Sequence, residues 1–367
     1  MRITRRDFLK YCTIAAGALG LTATDLLKME KALALPTGLK VIWLNGQACT
    51  GCTVSLANSS YYTTLQDLTL GNPIGSGASE TLDIAFIETL SGITGDQIGT
   101  KIHDAAQGNF ALVIEGAMPT GNYCEIGENW TDINSGSGAV TIADAVKHYA
   151  NLSTCKAVIP VGTCACYGGI PAAFPNPTGS NGFLNLIKAS SLTVPQQRDI
   201  RKKTINIPGC PPNPNWIVGT IAFLLANNLQ QYPSCDALKR PRTYYGERIC
   251  NNCDRFANSS TYTTQFPLGK FVGVDGVDAP LGGGGCTVVA PNDIGHPTIN
   301  KPSGYCLKKA GCKGSRTKSD CSLRKWHTHV PGSLAAGVNW CVGAGAPCQG
   351  CTQDKFPDGM SPFLYIR

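Results

Sequence analysis

A short apolar run leads directly into a pair of cysteines in the segment Val41-Ile42-Trp43-Leu44-Asn45-Gly46-Gln47-Ala48-Cys49-Thr50-Gly51-Cys52. Such a run, ended by turn residues, is typical of a strand buried on both faces of a parallel sheet. Three more runs of this kind lie at 111–114, 157–161 and 205–207. Helix-like stretches accompany them at 96–106, 142–150 and 216–227. The alternation predicts an α/β fold with a doubly wound parallel sheet over residues 36–237.

Cysteines follow three of these predicted strands. Cys49 and Cys52 come after the first run, Cys164 after the third and Cys210 after the fourth. Ligands of doubly wound sheets bind beyond the carboxyl ends of the strands, so we expect these four thiols to converge. Four thiolates around one point suit an iron–sulfur cluster or a zinc ion. Structural zinc usually takes two Cys-x-x-Cys pairs, whereas one pair and two single cysteines meet here. The pattern therefore favours a cluster over zinc, and both over disulfides.

The region from residue 238 onward has little helical or strand periodicity and is rich in cysteine. Eight cysteines lie there: Cys250, Cys253, Cys306, Cys312, Cys321, Cys341, Cys348 and Cys351. They would provide two further four-thiolate sites, and metal binding can organise a chain with little regular structure. The alternative is four disulfides in an exported loop domain, but Cys-x-x-Cys pairs separated by single cysteines are more typical of metal ligation.

Composition narrows the class of protein. The chain has 367 residues, of which 18 are cysteine and only 15% are charged, and its net charge is +7. Residues 1–34 contribute +3 of that charge, and the remaining +4 over the rest of the chain argues against a nucleic-acid partner. Because no later run is apolar enough to span a bilayer, we expect no transmembrane segment in the mature chain.

The N-terminus has the features of an export signal. The adjacent Arg5 and Arg6 precede a weakly apolar stretch, and Ala32-Leu33-Ala34 fits a signal-peptidase site. This arrangement resembles a twin-arginine signal peptide over residues 1–34. That route exports folded proteins, so metal could be inserted in the reducing cytoplasm before the protein reaches the periplasm. The alternative is an ordinary amphipathic N-terminal helix.

Several short motifs combine cysteine with glycine or proline. In chain order they are Trp43–Cys52 as quoted above, Gly162-Thr163-Cys164-Ala165, Pro208-Gly209-Cys210-Pro211-Pro212-Asn213-Pro214, Gly304-Tyr305-Cys306, Gly311-Cys312-Lys313-Gly314, Ala346-Pro347-Cys348-Gln349-Gly350-Cys351 and Ser361-Pro362-Phe363. Together they resemble the small subunit of nickel–iron hydrogenases along essentially the whole chain. The resemblance implies a flavodoxin-like domain at 35–237 and a C-terminal iron–sulfur domain with little regular structure at 238–367.

By this resemblance the cysteines form three ligand sets, each for one iron–sulfur cluster. The proximal 4Fe-4S cluster would take Cys49, Cys52, Cys164 and Cys210. The distal cluster would take Cys253, Cys306 and Cys312, and the medial cluster would take Cys321, Cys348 and Cys351.

Two positions depart from the family pattern. The family usually has histidine at the position of Cys250, and a thiolate there keeps four ligands at a distal 4Fe-4S cluster. Most members have proline at the position of Cys341, which here would supply a fourth medial ligand. The medial cluster is then 4Fe-4S, or 3Fe-4S if Cys341 is a free buried thiol. All-thiolate ligation is expected to lower both reduction potentials.

The proximal site lacks the extra cysteines of oxygen-tolerant members. Gly51 and Gly169 occupy the matching positions, and the nearby Cys166 has the wrong spacing. We therefore expect an ordinary four-iron proximal cluster and sensitivity to oxygen. Of the remaining cysteines, Cys12 lies in the signal. The others are expected to pack as small apolar residues: Cys124, Cys155, Cys166, Cys235 and Cys286.

We expect no nickel site in this chain. Twelve cysteines are assigned to clusters, and no Asp-Pro-Cys-x-x-Cys segment occurs. The resemblance implies an obligate heterodimer with a hydrogenase large subunit, which holds the nickel–iron site and oxidises H2 reversibly. This chain would carry no catalytic residue and would conduct electrons. The loop at 49–52 is expected at the interface with the large subunit.

Basic residues are concentrated between 306 and 325. They are Lys308, Lys309, Lys313, Arg316, Lys318, Arg324 and Lys325, against Asp320 alone. This predicts either a solvated face that offsets cluster charge or a docking surface for a redox partner such as a periplasmic cytochrome c. Peripheral membrane association would come through other subunits.

Two rival functions remain at this point. The first is an electron-transfer subunit of another complex, related to the subunit of respiratory NADH dehydrogenase that shares the first cluster fold. That relative lacks the cysteine-rich third of this chain. The second is an exported binding protein that zinc or disulfides stabilise.

Overall fold

The computed structural model describes residues 39–59, 82–93, 95, 97–133, 138–227, 229–253, 307, 311–325 and 340–360. It separates into two compact units, Met1–Thr243 and Tyr244–Arg367. The predicted signal at 1–34, with Cys12, lies outside the described residues, as do Cys286 and Cys306. No helix in the described ranges is long and apolar enough to cross a membrane.

The first unit is built on a parallel sheet. Its strands and those of a separate antiparallel pair are β1 Leu39–Asn45, β2 Leu82–Ile87, β3 Phe110–Glu115, β4 Glu125–Glu128, β5 Ala139–Thr141 and β6 Cys155–Val161. The sheet order is β2-β1-β3-β6, and all three pairings are parallel. Because β1 lies between two strands that follow it in the chain, the sheet is doubly wound, as in flavodoxin-like folds. The α/β prediction is confirmed.

The helices are mostly short. They are α1 Gly51–Ala57, α2 Gln97–Ala106, α3 Ile142–Asn151, α4 Thr163–Tyr167, α5 Phe183–Ala189, α6 Val194–Lys202, α7 Pro214–Ala226, α8 Arg242–Tyr245 and α9 Cys321–Arg324. The sequence predicted α2, α3 and α7, whose apolar residues recur over at least ten positions. It did not predict the other helices, among them α1 and α4, which are too short to show a helical period.

The prediction of a strand at 205–207 is wrong as stated, although the segment lies where a fifth strand would lie. The Ile205 amide donates to the Val158 carbonyl and the Ile207 amide to the Pro160 carbonyl, both at 2.9 Å. These contacts make isolated parallel bridges beside β6 rather than a continuous ladder. Since the segment still runs parallel to β6, it ends at the same edge of the sheet.

The core of the first unit explains the continuous apolar runs. Every residue of β3 is buried. Ile42 and Leu112 pack on one face of the sheet in a cluster that includes Ile102 of α2 and Tyr149 of α3. Each large aliphatic side chain buried in this way contributes roughly 1.5–3 kcal/mol relative to its exposed state. The sheet is therefore a rigid base for the loops that follow its strands.

The second unit has much less regular structure in its described part. Besides α9 it has single turns of 3-10 helix at Ile249–Asn252, Gly314–Arg316 and Asp358–Met360. Its buried cluster consists of Ile249, Leu307, Trp340, Val342 and Cys348. A cluster of this size is small compared with the core of the first unit.

Candidate metal centres

The loops after β1, β6 and the 204–207 segment bring the first set of thiols to one edge of the sheet. Cys49 follows β1, Cys52 lies in α1, Cys164 lies in α4 directly after β6, and Cys210 follows the 204–207 segment. The structure thus brings together the four thiols that the sequence predicted to converge.

Hydrogen bonds hold these loops side by side. The Thr163 amide donates to the Gly209 carbonyl at 2.9 Å, and the Gly209 amide donates to the Thr163 hydroxyl, also at 2.9 Å. The Ser55 hydroxyl of α1 donates to the Pro212 carbonyl at 2.6 Å. The loops that carry Cys164 and Cys210 are therefore tied to each other, and α1 is tied to the second of them.

The four thiols share one electrostatic environment. Burial raises the pKa of Cys52 well above its ordinary value, and the negative charges of Glu115, Cys164 and Cys49 raise it further. Burial and then Cys210 raise the pKa of Cys164 to about 11. Partial desolvation and then Cys49 raise the pKa of Cys210. Four thiolates here would repel one another strongly, so the set fits a group that brings positive iron to the sulfurs.

Glycines leave room around these sulfurs. A Cβ at Gly162 would lie 2.5 Å from the Cys52 Sγ, and one at Gly169 would lie 2.9 Å from the Cys164 Sγ. A Cβ at Gly51 would lie 3.1 Å from the Cys49 Sγ. Gly51 and Gly169, which the sequence analysis compared with oxygen-tolerant members, are thus positions from which a side chain would reach the thiols directly.

Glu115, at the end of β3, is a residue of this candidate site that the sequence analysis missed. Its carboxylate is 1% exposed and accepts hydrogen bonds from the amides of Cys52 at 3.0 Å and Thr53 at 3.1 Å. It also accepts from the Thr53 hydroxyl at 2.5 Å and from the Trp43 Nε1 at 3.3 Å. All four groups donate, so they suit an ionised carboxylate. Glu115 therefore fixes the first turn of α1, including Cys52, to the sheet.

A second group of thiols lies in the second unit. Burial raises the pKa of Cys321 well above its ordinary value, and the thiols of Cys351 and Cys348 raise it further. Burial, followed by Cys351 and Cys312, raises the pKa of Cys348. The predicted medial cysteines Cys321, Cys348 and Cys351 are therefore neighbours.

The predicted distal cysteines lie beside this group. The Cys348 amide donates to the Cys312 Sγ at 3.3 Å. Gly314 lies between two sulfurs, since a Cβ there would be 3.1 Å from the Cys250 Sγ and 3.6 Å from the Cys312 Sγ. Cys253 packs against the same small core as Cys312. The structure thus brings together Cys250 and Cys312, while Cys306 lies outside the described residues.

Cys341 is exposed and follows the buried Trp340. Partial desolvation raises the pKa of Cys341, and the Cys312 thiol raises it further. Its neighbour in the structure is thus a cysteine of the predicted distal set, although the sequence analysis assigned Cys341 to the medial set.

No disulfide joins any of the cysteines that the structure describes. Within the same residues, no three groups from His, Cys, Asp and Glu are placed to hold a single metal ion. Of the cysteines expected to pack as apolar residues, Cys155 is 2% and Cys166 3% exposed, while Cys124 and Cys235 are half-buried. The Cys166 thiol donates to the Pro160 carbonyl at 3.2 Å and so has a structural partner.

Only some of the described basic residues between 306 and 325 are exposed. Lys313 is buried. Arg324 is nearly buried, forms an ion pair with Asp320 at 2.7 Å and lies 5.1 Å from the centre of the Tyr244 ring. These two residues therefore cannot present charge to a partner. Arg316 and Lys318 are exposed, whereas Lys308 and Lys309 lie outside the described residues.

Two protein families match separate parts of the chain. Residues 49–224 match the family described as the 20 kDa subunit of NADH ubiquinone oxidoreductase. Residues 292–364 match the family of C-terminal regions of NiFe/NiFeSe hydrogenase small subunits. The first match alone fits both a hydrogenase and the NADH dehydrogenase alternative, and the second distinguishes the hydrogenase.

Relatives match along almost the whole chain. The periplasmic NiFeSe hydrogenase small subunit of Desulfomicrobium baculatum is 32% identical, over 99% of this chain and 99% of its own. The periplasmic NiFe hydrogenase small subunit of Solidesulfovibrio fructosivorans is 31% identical, over 98% of this chain and 92% of its own.

Solved structures agree with these relatives. The reduced, active NiFeSe hydrogenase from Desulfomicrobium baculatum matches with a TM-score of 0.62 and 29% identity, over 90% of this chain and 100% of the matched one. The oxidised recombinant NiFeSe hydrogenase from Desulfovibrio vulgaris Hildenborough gives a TM-score of 0.63 and 31% identity, over 89% and 97%. On this sequence identity, fold and C-terminal match, the chain belongs to the family of nickel–iron hydrogenase small subunits.

Proposed function

We propose that this small subunit conducts electrons through three iron–sulfur clusters between the nickel–iron site of a large subunit and an external redox partner. The reaction of the complex is the reversible oxidation of H2 to two protons and two electrons. The observation that carries the proposal is the convergence of Cys49, Cys52, Cys164 and Cys210 at the carboxyl edge of the sheet.

The ligand sets are proposed as follows. The proximal 4Fe-4S cluster takes Cys49, Cys52, Cys164 and Cys210, the distal one Cys250, Cys253, Cys306 and Cys312, and the medial one Cys321, Cys341, Cys348 and Cys351. Iron–sulfur clusters supply one-electron redox chemistry, with potentials set by ligands, hydrogen bonds and solvent exposure. This chain's own residues orient the thiolates, as Glu115 does for Cys52, and keep water from the buried ones.

The large subunit is proposed to cover the edge of the sheet where the four proposed proximal ligands lie. Cys49 and Cys210 are exposed there although both are proposed ligands. Three apolar side chains from nearby segments are exposed as well: Val54 of α1 at 54%, Ile170 at 57% and Phe174 at 88%. Exposed apolar side chains beside a functional loop are typical of a surface that a partner covers. The interface would therefore shield the two outer thiolates from solvent.

Metal analysis of the natively purified complex tests the proposal. Three 4Fe-4S clusters in this chain, with one nickel and one further iron in the partner, give about thirteen iron atoms and one nickel per heterodimer. Zinc in place of iron, or no metal, would overturn the cluster assignment and restore the zinc- or disulfide-stabilised alternative.

The role of Cys341 needs a separate experiment because its neighbour in the structure is Cys312. If Cys341 is the fourth medial ligand, the Cys341→Ala variant loses one iron per heterodimer and gains the EPR signal of an oxidised 3Fe-4S cluster. The matched control is Cys235→Ala, a half-buried cysteine outside every proposed set. Unchanged iron in both variants would show that Cys341 is a free thiol.

We also propose that a twin-arginine signal at 1–34 exports the folded protein to the periplasm. Residues 35–237 and 238–367 would form its two domains.

In the periplasm the protein would transfer electrons to a partner such as a cytochrome c, which would dock against the exposed Arg316 and Lys318. That transfer should slow as ionic strength rises.

Gly51 and Gly169 predict an oxygen-sensitive enzyme, so sustained H2 oxidation in air would contradict the assignment of an ordinary proximal cluster.

A further inference from the structure

A hydroxyl group points at a sulfur of the proposed medial set. The Ser319 Oγ lies 3.0 Å from the Cys321 Sγ. Ser319 is 2% exposed, so water does not compete well for its hydroxyl. An iron-bound thiolate carries no proton, so in the loaded protein the hydroxyl must donate and the sulfur accept. This contact is therefore a hydrogen bond to a proposed cluster ligand.

A neighbouring hydroxyl shows that burial beside a thiol is not sufficient for this role. The Thr317 Oγ1 lies 3.7 Å from the Cys348 Sγ, but it already donates to the Lys313 carbonyl at 2.7 Å. A threonine hydroxyl has one proton, which that short bond uses. Thr317 thus has no second proton for Cys348, whereas the Ser319 hydroxyl contacts Cys321 itself.

Hydrogen bonds to ligand sulfurs change the energy of the two redox states unequally. Reduction adds negative charge to the cluster and its sulfurs, so a donor stabilises the reduced state more than the oxidised state. The effect is strongest where surrounding groups are buried and water is excluded. Ser322 and Thr352, which are 4% and 1% exposed, belong to such surroundings in the same unit.

We propose that Ser319 is a positioning residue that raises the reduction potential of the medial cluster through its hydrogen bond to Cys321. This inference rests on the proposed function, because it needs a cluster at Cys321. It opposes the lowering that all-thiolate ligation brings, so with Cys341 as the fourth ligand the medial potential would be a balance between the Cys341 thiolate and the Ser319 hydroxyl. The hydrogen bond would thereby keep the reduction potential of a four-iron medial cluster closer to the potentials of the neighbouring clusters.

Potentiometric EPR titration of the purified heterodimer tests the inference. In the Ser319→Ala variant the midpoint potential of the medial cluster should shift to more negative values, while iron content stays at the wild-type level. The Ser319→Thr variant, which keeps the hydroxyl, should restore the wild-type potential. The matched control is Ser322→Ala, because the Ser322 hydroxyl is also buried but donates to the Ile249 carbonyl at 3.3 Å. Its medial potential should not move.

A measurement on the wild-type protein guards against a variant that fails to assemble. After exchange into D2O, pulsed ENDOR should detect an exchangeable deuteron coupled to the medial cluster. Absence of that deuteron, or an unshifted or more positive potential in a fully loaded Ser319→Ala variant, overturns the inference. A wild-type heterodimer without iron–sulfur EPR signals would instead overturn the proposed function, so the two failures are distinguishable.

Discussion

The proposed proximal site and the thiols of the second unit illustrate two ways of holding cysteine ligands. At the sheet edge, the ligands follow strands whose core exists without any metal, and Glu115 fixes Cys52 through the backbone. In the second unit, the described chain has single turns and a small buried cluster around Trp340. The first site is therefore built by the fold, whereas in the second unit metal binding would itself supply much of the folding energy.

Iron removal should produce the largest difference in hydrogen-exchange protection between the two regions. When iron is oxidised and chelated from the purified protein, amides of 311–325 and 340–360 should lose hydrogen-exchange protection by orders of magnitude, while β3 and β6 keep theirs. The reason is that thiolates without metal repel one another, and only the first unit has a large core to resist. Equal loss of protection in both regions would contradict the comparison.

Gly162→Ala should remove one cluster without unfolding the protein. Gly162 has φ 89° and ψ 151°, a region that essentially only glycine adopts, and an added Cβ would lie 2.5 Å from the Cys52 Sγ. We expect the variant to lose about four irons per chain by metal analysis. Gly345→Ala is the matched control, because Gly345 has φ 90° but nothing within 4 Å of the added Cβ. The control should retain all its iron.

Glu115→Gln should lower the free energy of unfolding of the first unit, whether or not iron is bound. The amide keeps one acceptor oxygen but turns an NH2 group toward groups that are themselves donors, which costs roughly 1–3 kcal/mol. Urea-dependent hydrogen exchange of β3 should show this loss with or without iron. Glu128→Gln, on the exposed part of β4, should stay within about 0.5 kcal/mol of wild type. An effect of Glu115→Gln only in the iron-loaded protein would argue that the site is held by metal after all.

The smallest expected effect concerns acid. Burial lowers the pKa of His148, against the opposing effect of Asp132 at 3.5 Å and with a further lowering from His103. A folded-state pKa below the unfolded one means that stability is fully present above the unfolded pKa of about 6.5 and falls as the pH drops below it. Urea titrations of the first unit at pH 7.5 and 5.5 should show a smaller acid loss in His148→Gln. An identical loss in both proteins would assign the acid sensitivity to other groups.

The sequence revealed the sheet well where burial on both faces leaves a continuous apolar run, as in β1, β3 and β6. It missed β2, because Asp83 interrupts the run of Leu82–Ile87. It placed the proximal thiols correctly at one edge, since parallel strands end together. It could not show Glu115 as a ligand-holding residue, because an acidic residue after an apolar run also fits a solvated turn. The only available signal was its place at the very end of a fully buried strand.

In the proposed proximal site, Glu115 would also affect the rate of electron transfer. Its carboxylate joins β3 to Trp43 of β1 and to Cys52 and Thr53 of α1, so one buried group couples three pieces of backbone. When an electron arrives, ligands in a loose loop would relax to new positions, and that relaxation is the reorganisation energy of electron transfer. A ligand fixed to the middle of a parallel sheet has little room to relax. For the proposed cluster, the sheet would thus serve as a rigid frame that keeps the reorganisation energy of the protein small.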